Sequence, residues 1–502
     1  MVAQAEAATL VGIEAVPVMV EVDLRRGAPD FHLVGLPDKA VMECRERVRS
    51  AIQNSDLTFP NGKVVCNLAP GDVRKEGTSL DLPIALTILA VSGQVPASEL
   101  AHTVILGELG LDGRVRPVNG CLNAAIAASQ RGVRRLIVPK EDAPEAAVVP
   151  GLDVYGVDTL LAAVEILNGD LSHQPVDAAL ATAGEDTQWP VDFSDVKGQS
   201  HALRALEVAA AGNHNVLMTG PPGSGKTMLA RRLPTILPPL VLEEAVEVTR
   251  VYSAAGERNG RNGLVWARPF RSPHHTTSYA ALVGGGKTPK PGEVSLAHFG
   301  VLFLDEMPEF DRDVLEALRQ PLEDGIVTVS RVSATQEFPA RCLLVGAMNP
   351  CPCGFRGYPE AKCVGASACE RYAGRLSGPL MDRIDLHITV PRLRPNELTD
   401  APPGETSAVI RARVQSARAR QTARLGPGGT NGHMSPRQVR ETAELDETER
   451  AFMTKAASRL SLSGRGYDRI LKVARTLADL ADEDQIRVEH LAEAVQFRAP
   501  QE

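Results

Sequence analysis

Aromatic residues are scarce: 11 Phe, 6 Tyr and 2 Trp make 4% of 502 residues, although 43% of the chain is hydrophobic. A chain of this length buries sizeable cores, and here they must be aliphatic, built mostly from Leu, Val and Ala. Long apolar runs are absent as well. None reaches the roughly 18 residues that a membrane-spanning helix needs. The opening residues, Met1-Val-Ala-Gln-Ala-Glu6, lack the basic start and apolar core of a secretory signal. A cytoplasmic protein with no membrane partner is therefore expected. Positive charge is in deficit, with 54 Lys and Arg against 62 Asp and Glu, a net charge of −8. Such a surface does not coat nucleic acid, but a basic channel inside an assembly remains compatible, because net charge averages over position. Eight cysteines in 502 residues do not make a disulfide scaffold. Four of them, Cys351, Cys353, Cys363 and Cys369, share one short stretch. Clustering of that kind in a cytosolic protein points to a metal or to structure.

At roughly 150 residues per domain, the length suggests about three domains. Residues 1–175 read as an α/β unit. Apolar runs at Val18–Val22, Val64–Leu68, Val104–Leu106 and Leu136–Val138 predict strands, and helices are predicted around Lys39–Gln53, Leu80–Val91 and Leu122–Arg131. Residues 176–192 have little apolar periodicity and read as a linker. A second α/β unit covers 193–395, with strands predicted at Val216–Thr219, Val301–Leu304 and Cys342–Ala347. Residues 396–502 open on a stretch rich in Pro, Gly and Arg and are then helical by pattern, ending in a helix predicted over Val488–Gln496.

The strongest chemical signal is Gly220-Pro221-Pro222-Gly223-Ser224-Gly225-Lys226-Thr227. It follows an apolar strand and precedes a helix, the context a phosphate-binding loop requires. Its glycines let backbone N–H groups curl around phosphate oxygens at a helix N-terminus. Lys226 is placed to reach the β- and γ-phosphates, and the Thr227 hydroxyl to ligate Mg²⁺. The run Gly300-Val-Leu-Phe-Leu-Asp305-Glu306 reads as a buried strand delivering two carboxylates at its C-terminal end, the edge where parallel sheets bind ligands. Asp305 would hold Mg²⁺ and Glu306 would polarise the attacking water. Asn349 closes a third apolar strand and can position that water beside the γ-phosphate.

These motifs, in this order, resemble the AAA+ superfamily. Longer segments narrow the likeness: Arg268-Pro-Phe-Arg-Ser-Pro-His-His-Thr276, Pro291-Gly-Glu-Val-Ser-Leu-Ala-His298, Leu318-Arg-Gln-Pro-Leu-Glu323, Asn349-Pro-Cys-Pro-Cys-Gly354 and Ser377-Gly-Pro-Leu-Met-Asp-Arg-Ile-Asp385. Together they resemble the YifB/ComM family of magnesium-chelatase-like AAA+ ATPases, over nearly the whole chain. The resemblance implies an α/β fold in three parts: a Lon-protease-like domain, a P-loop ATPase core and a C-terminal helical lid. It implies ATP and Mg²⁺ as cofactors and a homo-oligomeric, hexameric ring. It implies that Arg383 is an arginine finger acting on the neighbouring subunit's γ-phosphate, with Arg375 as a rival, and that Arg465 is the sensor arginine closing the lid over ATP, with Arg469 as its alternative.

Residues Lys75–Asp81 and Leu106–Gly120 resemble the segments around the catalytic serine of Lon proteases. Ser79 aligns with that serine, but Leu122 and Ala124 stand where the Lon pattern carries lysine. A serine without a base is a poor nucleophile, so a folded relic is expected. The four clustered cysteines could hold a structural Zn²⁺, although Cys-x-Cys and Cys-x₅-Cys depart from the usual zinc spacings. Buried free thiols are the alternative. His274 and His275 are expected to point apart and so not to share an ion, in a loop facing nucleotide or DNA. Arg411, Arg413, Arg418, Arg420 and Arg424 read as a basic, solvated helix face. Lys287, in a glycine-rich segment, and Arg331, in a predicted hairpin over Glu323–Phe338, are the candidate DNA contacts. The resulting expectation is an ATP-driven motor acting on single-stranded or branched DNA, a helicase promoting branch migration in recombination. A magnesium-chelatase-type subunit and an ATP-gated assembly factor are the alternatives.

Overall fold

Val301–Leu304 and Leu343–Met348 are apolar at every position, a pattern that suits strands buried on both faces of a parallel sheet. The computed structural model describes residues 2–179, 189–257, 263–286, 289–331, 334–354, 356, 366–393 and 404–498. In it these strands lie at the centre of a five-stranded sheet. The order is Phe270–Arg271, Val301–Leu304, Leu343–Met348, Val216–Thr219, Leu386–Thr389, with every neighbouring pair parallel. Alternate residues divide two cores between its faces. Val216, Phe303, Val345 and Leu386 pack on one side with Ile410, Val414, Ile470, Leu477 and Leu491 of the C-terminal helices. Leu217, Leu302, Leu304 and Leu344 pack on the other with Val327, Val329 and Phe338. The C-terminal helices are thus continuous with the core of the five-stranded sheet.

Two hairpins project from this unit. One pairs Gly284–Gly285 with Lys290–Pro291. The other pairs Ile326–Arg331 with Ala334–Pro339 in six-residue arms, matching the predicted hairpin. Lys287 lies outside the described residues, as does the side chain of Arg331, whose backbone closes the first arm.

The first unit is a seven-stranded mixed sheet, ordered Asp30–Val34, Lys63–Ala69, Glu14–Arg25, Val2–Val11, Thr103–Ile105, Arg135–Pro139, Asp153–Val157. Helix Asp81–Val91 is buried along its whole length. Its one acid, Asp81, accepts two bonds from Arg47, at 2.6 and 2.9 Å. Helix Cys121–Gln130 packs on Leu242–Ala255 of the second unit, and the two share a core containing Leu122, Ala125, Val248 and Val251. The Gly120 amide donates to Ser253 Oγ at 3.0 Å across the seam. Leu122 and Ala124, expected to stand where Lon proteases carry lysine, both join that shared core, and Ala124 also lines a cavity of about 400 Å³ that contains Ser79. Residues 180–188 of the expected linker fall outside the described residues, and among those described no helix is long and apolar enough to cross a membrane.

The arginine-rich segment corrects its sequence reading. It forms helix Ser407–Leu425, but four of its five arginines, Arg413, Arg418, Arg420 and Arg424, bond to neighbouring segments rather than face water. Arg413 pairs with Glu207 at 2.5 Å and with Glu405 at 2.7 Å, Arg418 donates to the Ala210 carbonyl at 2.8 Å, and Arg424 pairs with Asp479 at 2.7 Å. A run of arginines read alone cannot show acids brought to it from 55 to 206 residues away.

Asp385 ties sheet and lid together. Its carboxylate, 6% exposed, meets His214 Nδ1 at 3.2 Å and accepts from Arg469 Nη1 at 2.6 Å, and His214 Nε2 contacts Thr476 Oγ1 at 2.7 Å. Burial pushes this carboxyl up. The His214 hydrogen bond and the charges of His214, Arg469 and Lys472 outweigh it and hold the group at about 2. Its folded pKa thus lies below the ordinary value of about 3.9. The stabilisation is full above that ordinary value and is lost as pH falls through about 2. Asp385→Asn leaves Arg469 without its counter-charge and is expected to lower the unfolding free energy by about 3 kcal/mol at neutral pH. Urea denaturation of both proteins at pH 7 checks this, and an unchanged midpoint would contradict it.

Candidate nucleotide-hydrolysis site

Parallel strands bring their C-terminal ends to one edge, and three of them deliver the candidate residues there. Strand Val216–Thr219 runs into Gly220 and the loop that opens helix Lys226–Arg232. A Cβ on Gly220 would lie 2.2 Å from the Val390 carbonyl oxygen, so no other residue fits. Gly223 and Gly225 take φ of 77° and 93°, conformations that turn the loop's amides inward. The Ser224 hydroxyl is buried without a partner among the described residues.

Lys226 is 8% exposed. Its ammonium donates to the carbonyls of Gly220 at 2.7 Å and Pro221 at 3.0 Å and to Asn349 Oδ1 at 3.3 Å. Burial pushes it below the ordinary lysine range, with Asp305 and Glu306 pulling the other way. A buried cation whose bonds all go to neutral oxygens is suited to receive phosphate. Thr227 Oγ1 donates to Asp305 Oδ2 at 2.7 Å, so hydroxyl and carboxylate are already adjacent. These two would hold Mg²⁺, which supplies charge neutralisation at the β- and γ-phosphate oxygens when bound.

Asp305 Oδ1 accepts the Glu306 amide at 2.9 Å, and Glu306 has φ of 50° and ψ of 42°. A left-handed glutamate is uncommon, and such strain clusters at active sites. Its half-exposed carboxylate reaches His275 Nδ1 at 3.4 Å. His274 and His275 do not point apart as expected: their ring centroids are 4.1 Å apart. The segment is a turn, where side-chain alternation does not apply. His275 as partner of Glu306 is a contact that the sequence did not reveal.

The arginines lie elsewhere. Arg383, Arg465 and Arg469 line a second cavity of about 400 Å³ with Asn215, Glu323 and Asp385. Asn215 and Asp385 precede strands Val216–Thr219 and Leu386–Thr389, so this cavity sits at the N-terminal edge of the sheet. A four-residue strand, at about 3.3 Å per residue, puts it some 13 Å from the start of the chain's own phosphate loop. Arg383 is 9% exposed, donates to the Pro379 carbonyl at 2.7 Å and pairs with Glu323, while its Nε has no partner. Arg469 is committed to Asp385, which leaves the exposed Arg465 as the sensor candidate on this edge. Arg375 stays by the acid-bearing loop, donating to the Pro308 carbonyl at 2.9 Å and to Glu309 at 2.6 Å.

The cysteines do not assemble a zinc site among the described residues. Cys351 and Cys353 have their sulfurs 2.9 Å apart, Cys363 falls outside the described residues, and Cys369 is buried on helix Ala366–Ala373. The residue groups close enough to share an ion contain no cysteine. The turn Cys351–Gly354 packs instead on the phosphate loop, where a Cβ on Gly354 would come 2.6 Å from Pro222.

Three protein-family models match the chain in tandem. They are described as subunit ChlI of Mg-chelatase (residues 20–142), magnesium chelatase subunit ChlI (192–398) and the C-terminal part of magnesium chelatase subunit ChlI (404–498). The chain is 46% identical to competence protein ComM of Haemophilus influenzae, over 97% of its own length and 96% of that protein. It is 43% identical to YifB of Escherichia coli, over 97% and 95%. A local match, 31% identical over 30% of this chain and 28% of the relative, is to Lon protease 2 of Bacillus subtilis.

The geometry separates binding from hydrolysis. Lys226→Ala is expected to lose nucleotide affinity. Glu306→Gln is expected to keep it while turnover falls by about 10²-fold or more, the scale of a lost general base. Nucleotide titrations beside ATPase rates distinguish the two, and a wild-type rate in Glu306→Gln removes that residue from catalysis.

Proposed function

The chain belongs to the magnesium-chelatase-like AAA+ ATPase family that includes ComM and YifB, and from that premise we propose that it is an ATP-hydrolysing ring motor that moves DNA, a ComM-like helicase promoting branch migration. The observation that carries the ring is the opposite placement of phosphate loop and arginines. Lys226, Thr227, Asp305, Glu306 and Asn349 gather at one edge of the sheet, while Arg383 and Arg465 lie at the other. A neighbour that presents its arginine edge to this chain's phosphate-loop edge completes the site, and repeating that head-to-tail contact closes a ring, here read as a hexamer. An arginine in trans stabilises the charge spread over the transferring phosphoryl group.

The contact with DNA is assigned to the two hairpins, each rooted in the ATPase unit. A chain of net charge −8 must bind DNA locally, and Lys287 and Arg331 are the cations nearest the two tips in sequence. DNA held through phosphates is bound with little regard to sequence and weakens with salt. The chelatase-type reading keeps the same ATPase and ring but needs partner subunits and no DNA.

Two measurements test this. Subunits carrying Lys226→Ala and subunits carrying Arg383→Ala, each inactive alone, are expected to regain ATPase when mixed, because some interfaces pair an intact loop with an intact finger. No recovery at any ratio contradicts a finger acting in trans. Binding of single-stranded DNA by the ATP-bound assembly is expected to fall with salt at a log–log slope of about −0.7 per phosphate contact. Lys287→Ala/Arg331→Ala should flatten that slope and abolish stimulation of ATPase by DNA. Absence of any DNA binding by the assembled wild type would overturn the helicase reading in favour of a chelatase-type subunit or an assembly factor.

A further inference from the structure

Arg383 is nine-tenths buried, yet its guanidinium is incompletely satisfied. One terminal nitrogen donates to Pro379, the other pairs with Glu323, and Nε has no partner among the described residues. Glu323 lines the same cavity as Arg383 and Arg465. The Arg383 hydrogen bond, with the charges of Arg383, Arg465 and Arg319, holds its carboxyl below the ordinary glutamate range against the opposing effect of burial. One carboxylate thus pairs directly with Arg383 and feels the charge of Arg465 in the same cavity.

We propose that Glu323 is a positioning residue that holds the arginine finger in the free subunit and, when the neighbour's nucleotide takes that finger, transmits the event to the hairpin Ile326–Pro339. This rests on Arg383 acting across the interface. The nitrogen that Glu323 occupies is one that a phosphate oxygen needs. A triphosphate arriving at Arg383 and Arg465 competes for both cations and repels the carboxylate as a like charge. Glu323 is the member able to yield, since its side chain is 54% exposed and that of Arg383 only 10%.

Displacing Glu323 must move the hairpin, because the two are mechanically one piece. Glu323 lies on helix Arg319–Asp324, which ends at Gly325, with φ of 70°, directly before the first arm. The Gly325 carbonyl accepts the Ala340 amide at 2.8 Å and so ties both ends of the hairpin to that residue. From the same helix, Gln320 Nε2 donates to Thr328 Oγ1 in the first arm at 3.0 Å. Two residues of chain separate the carboxylate from the arm, with no loop between to absorb the motion.

The experiment is hydrogen–deuterium exchange of the full-length, assembled protein with and without a non-hydrolysable ATP analogue, together with steady-state ATPase kinetics, on wild type, Glu323→Gln and Glu323→Asp. In wild type the analogue is expected to change exchange in both the phosphate loop and residues 326–339. Glu323→Gln should retain the response of the phosphate loop and lose that of the hairpin. Its KM for ATP should fall about two- to fivefold, the range of an ion pair with one exposed partner that no longer has to break. Glu323→Asp, which restores the charge, should recover the hairpin response in part. A wild-type hairpin response in Glu323→Gln overturns the proposal. Arg383→Ala separates the two failures. If it abolishes ATPase while Glu323→Gln behaves as wild type, the finger stands and Glu323 has no part in it. If Arg383→Ala leaves ATPase intact, both readings fall.

Discussion

Five parallel strands give the ATPase sheet two chemically different edges, and the rest of the molecule is arranged around that polarity. The C-terminal edge receives the phosphate loop, the Asp305–Glu306 pair and Asn349, because these segments directly follow strands Val216–Thr219, Val301–Leu304 and Leu343–Met348. The N-terminal edge receives what directly precedes a strand, and Arg383 stands three residues before Leu386–Thr389. Acid and arginine are therefore kept apart within one chain by the length of a strand. The separation keeps Arg383 from neutralising Asp305 or Glu306 of its own chain and leaves it to pair with Glu323.

The lid depends on the same edge. Arg469 and Thr476, on helix Gly464–Leu480, reach Asp385 and His214, the latter directly. Asp385 and His214 both sit just before strands. An unpartnered buried carboxylate is strongly disfavoured, so this network holds the helix to the sheet beside the apolar contacts of Ile470 and Leu477. Arg465 stands one turn before Arg469 on that helix. Its position at the cavity follows from the anchoring of its neighbour.

Much of this was legible in the sequence because local pattern and local chemistry coincide at the phosphate loop. A glycine-rich turn between an apolar run and a helix has few other uses, and the acid pair after a run of four apolar residues is as direct. The hairpin at Ile326–Pro339 was legible from alternation. What was hidden depended on residues distant in sequence. The pairing of Arg413 with Glu207 spans 206 residues, so a docked helix read as a solvated one. Strand Val2–Val11 escaped because its inward positions Ala3, Ala5 and Ala7 carry too little apolar bulk to register as a strand signal. Glu323 lay inside a recognised motif, but its pairing with Arg383, 60 residues away, became visible only in the fold.

The first domain packs its helix Cys121–Gln130 on the ATPase unit. Ala124 and Ser79 line one cavity, while Leu122 packs in a core shared with Val248 and Val251. A lysine at 122 would bury a charge in that core, so packing against the ATPase unit and a lysine there exclude each other. The packing has a mechanical result. The turn at Gly12 and Ile13 is carried across the seam, Ile13 joins the core that holds Val327 and Val329 of the hairpin, and the Asn123 side chain donates to both the Ile13 and Arg250 carbonyls. Gln336 of the second arm lies so close to Gly12 that a Cβ there would meet its amide oxygen at 2.6 Å. The hairpin thus rests on the first domain at one end and is joined through Gly325 to the Glu323 helix at the other. A lever needs a fixed support as well as a moving arm, and a rigid, seven-stranded domain is suited to supply it.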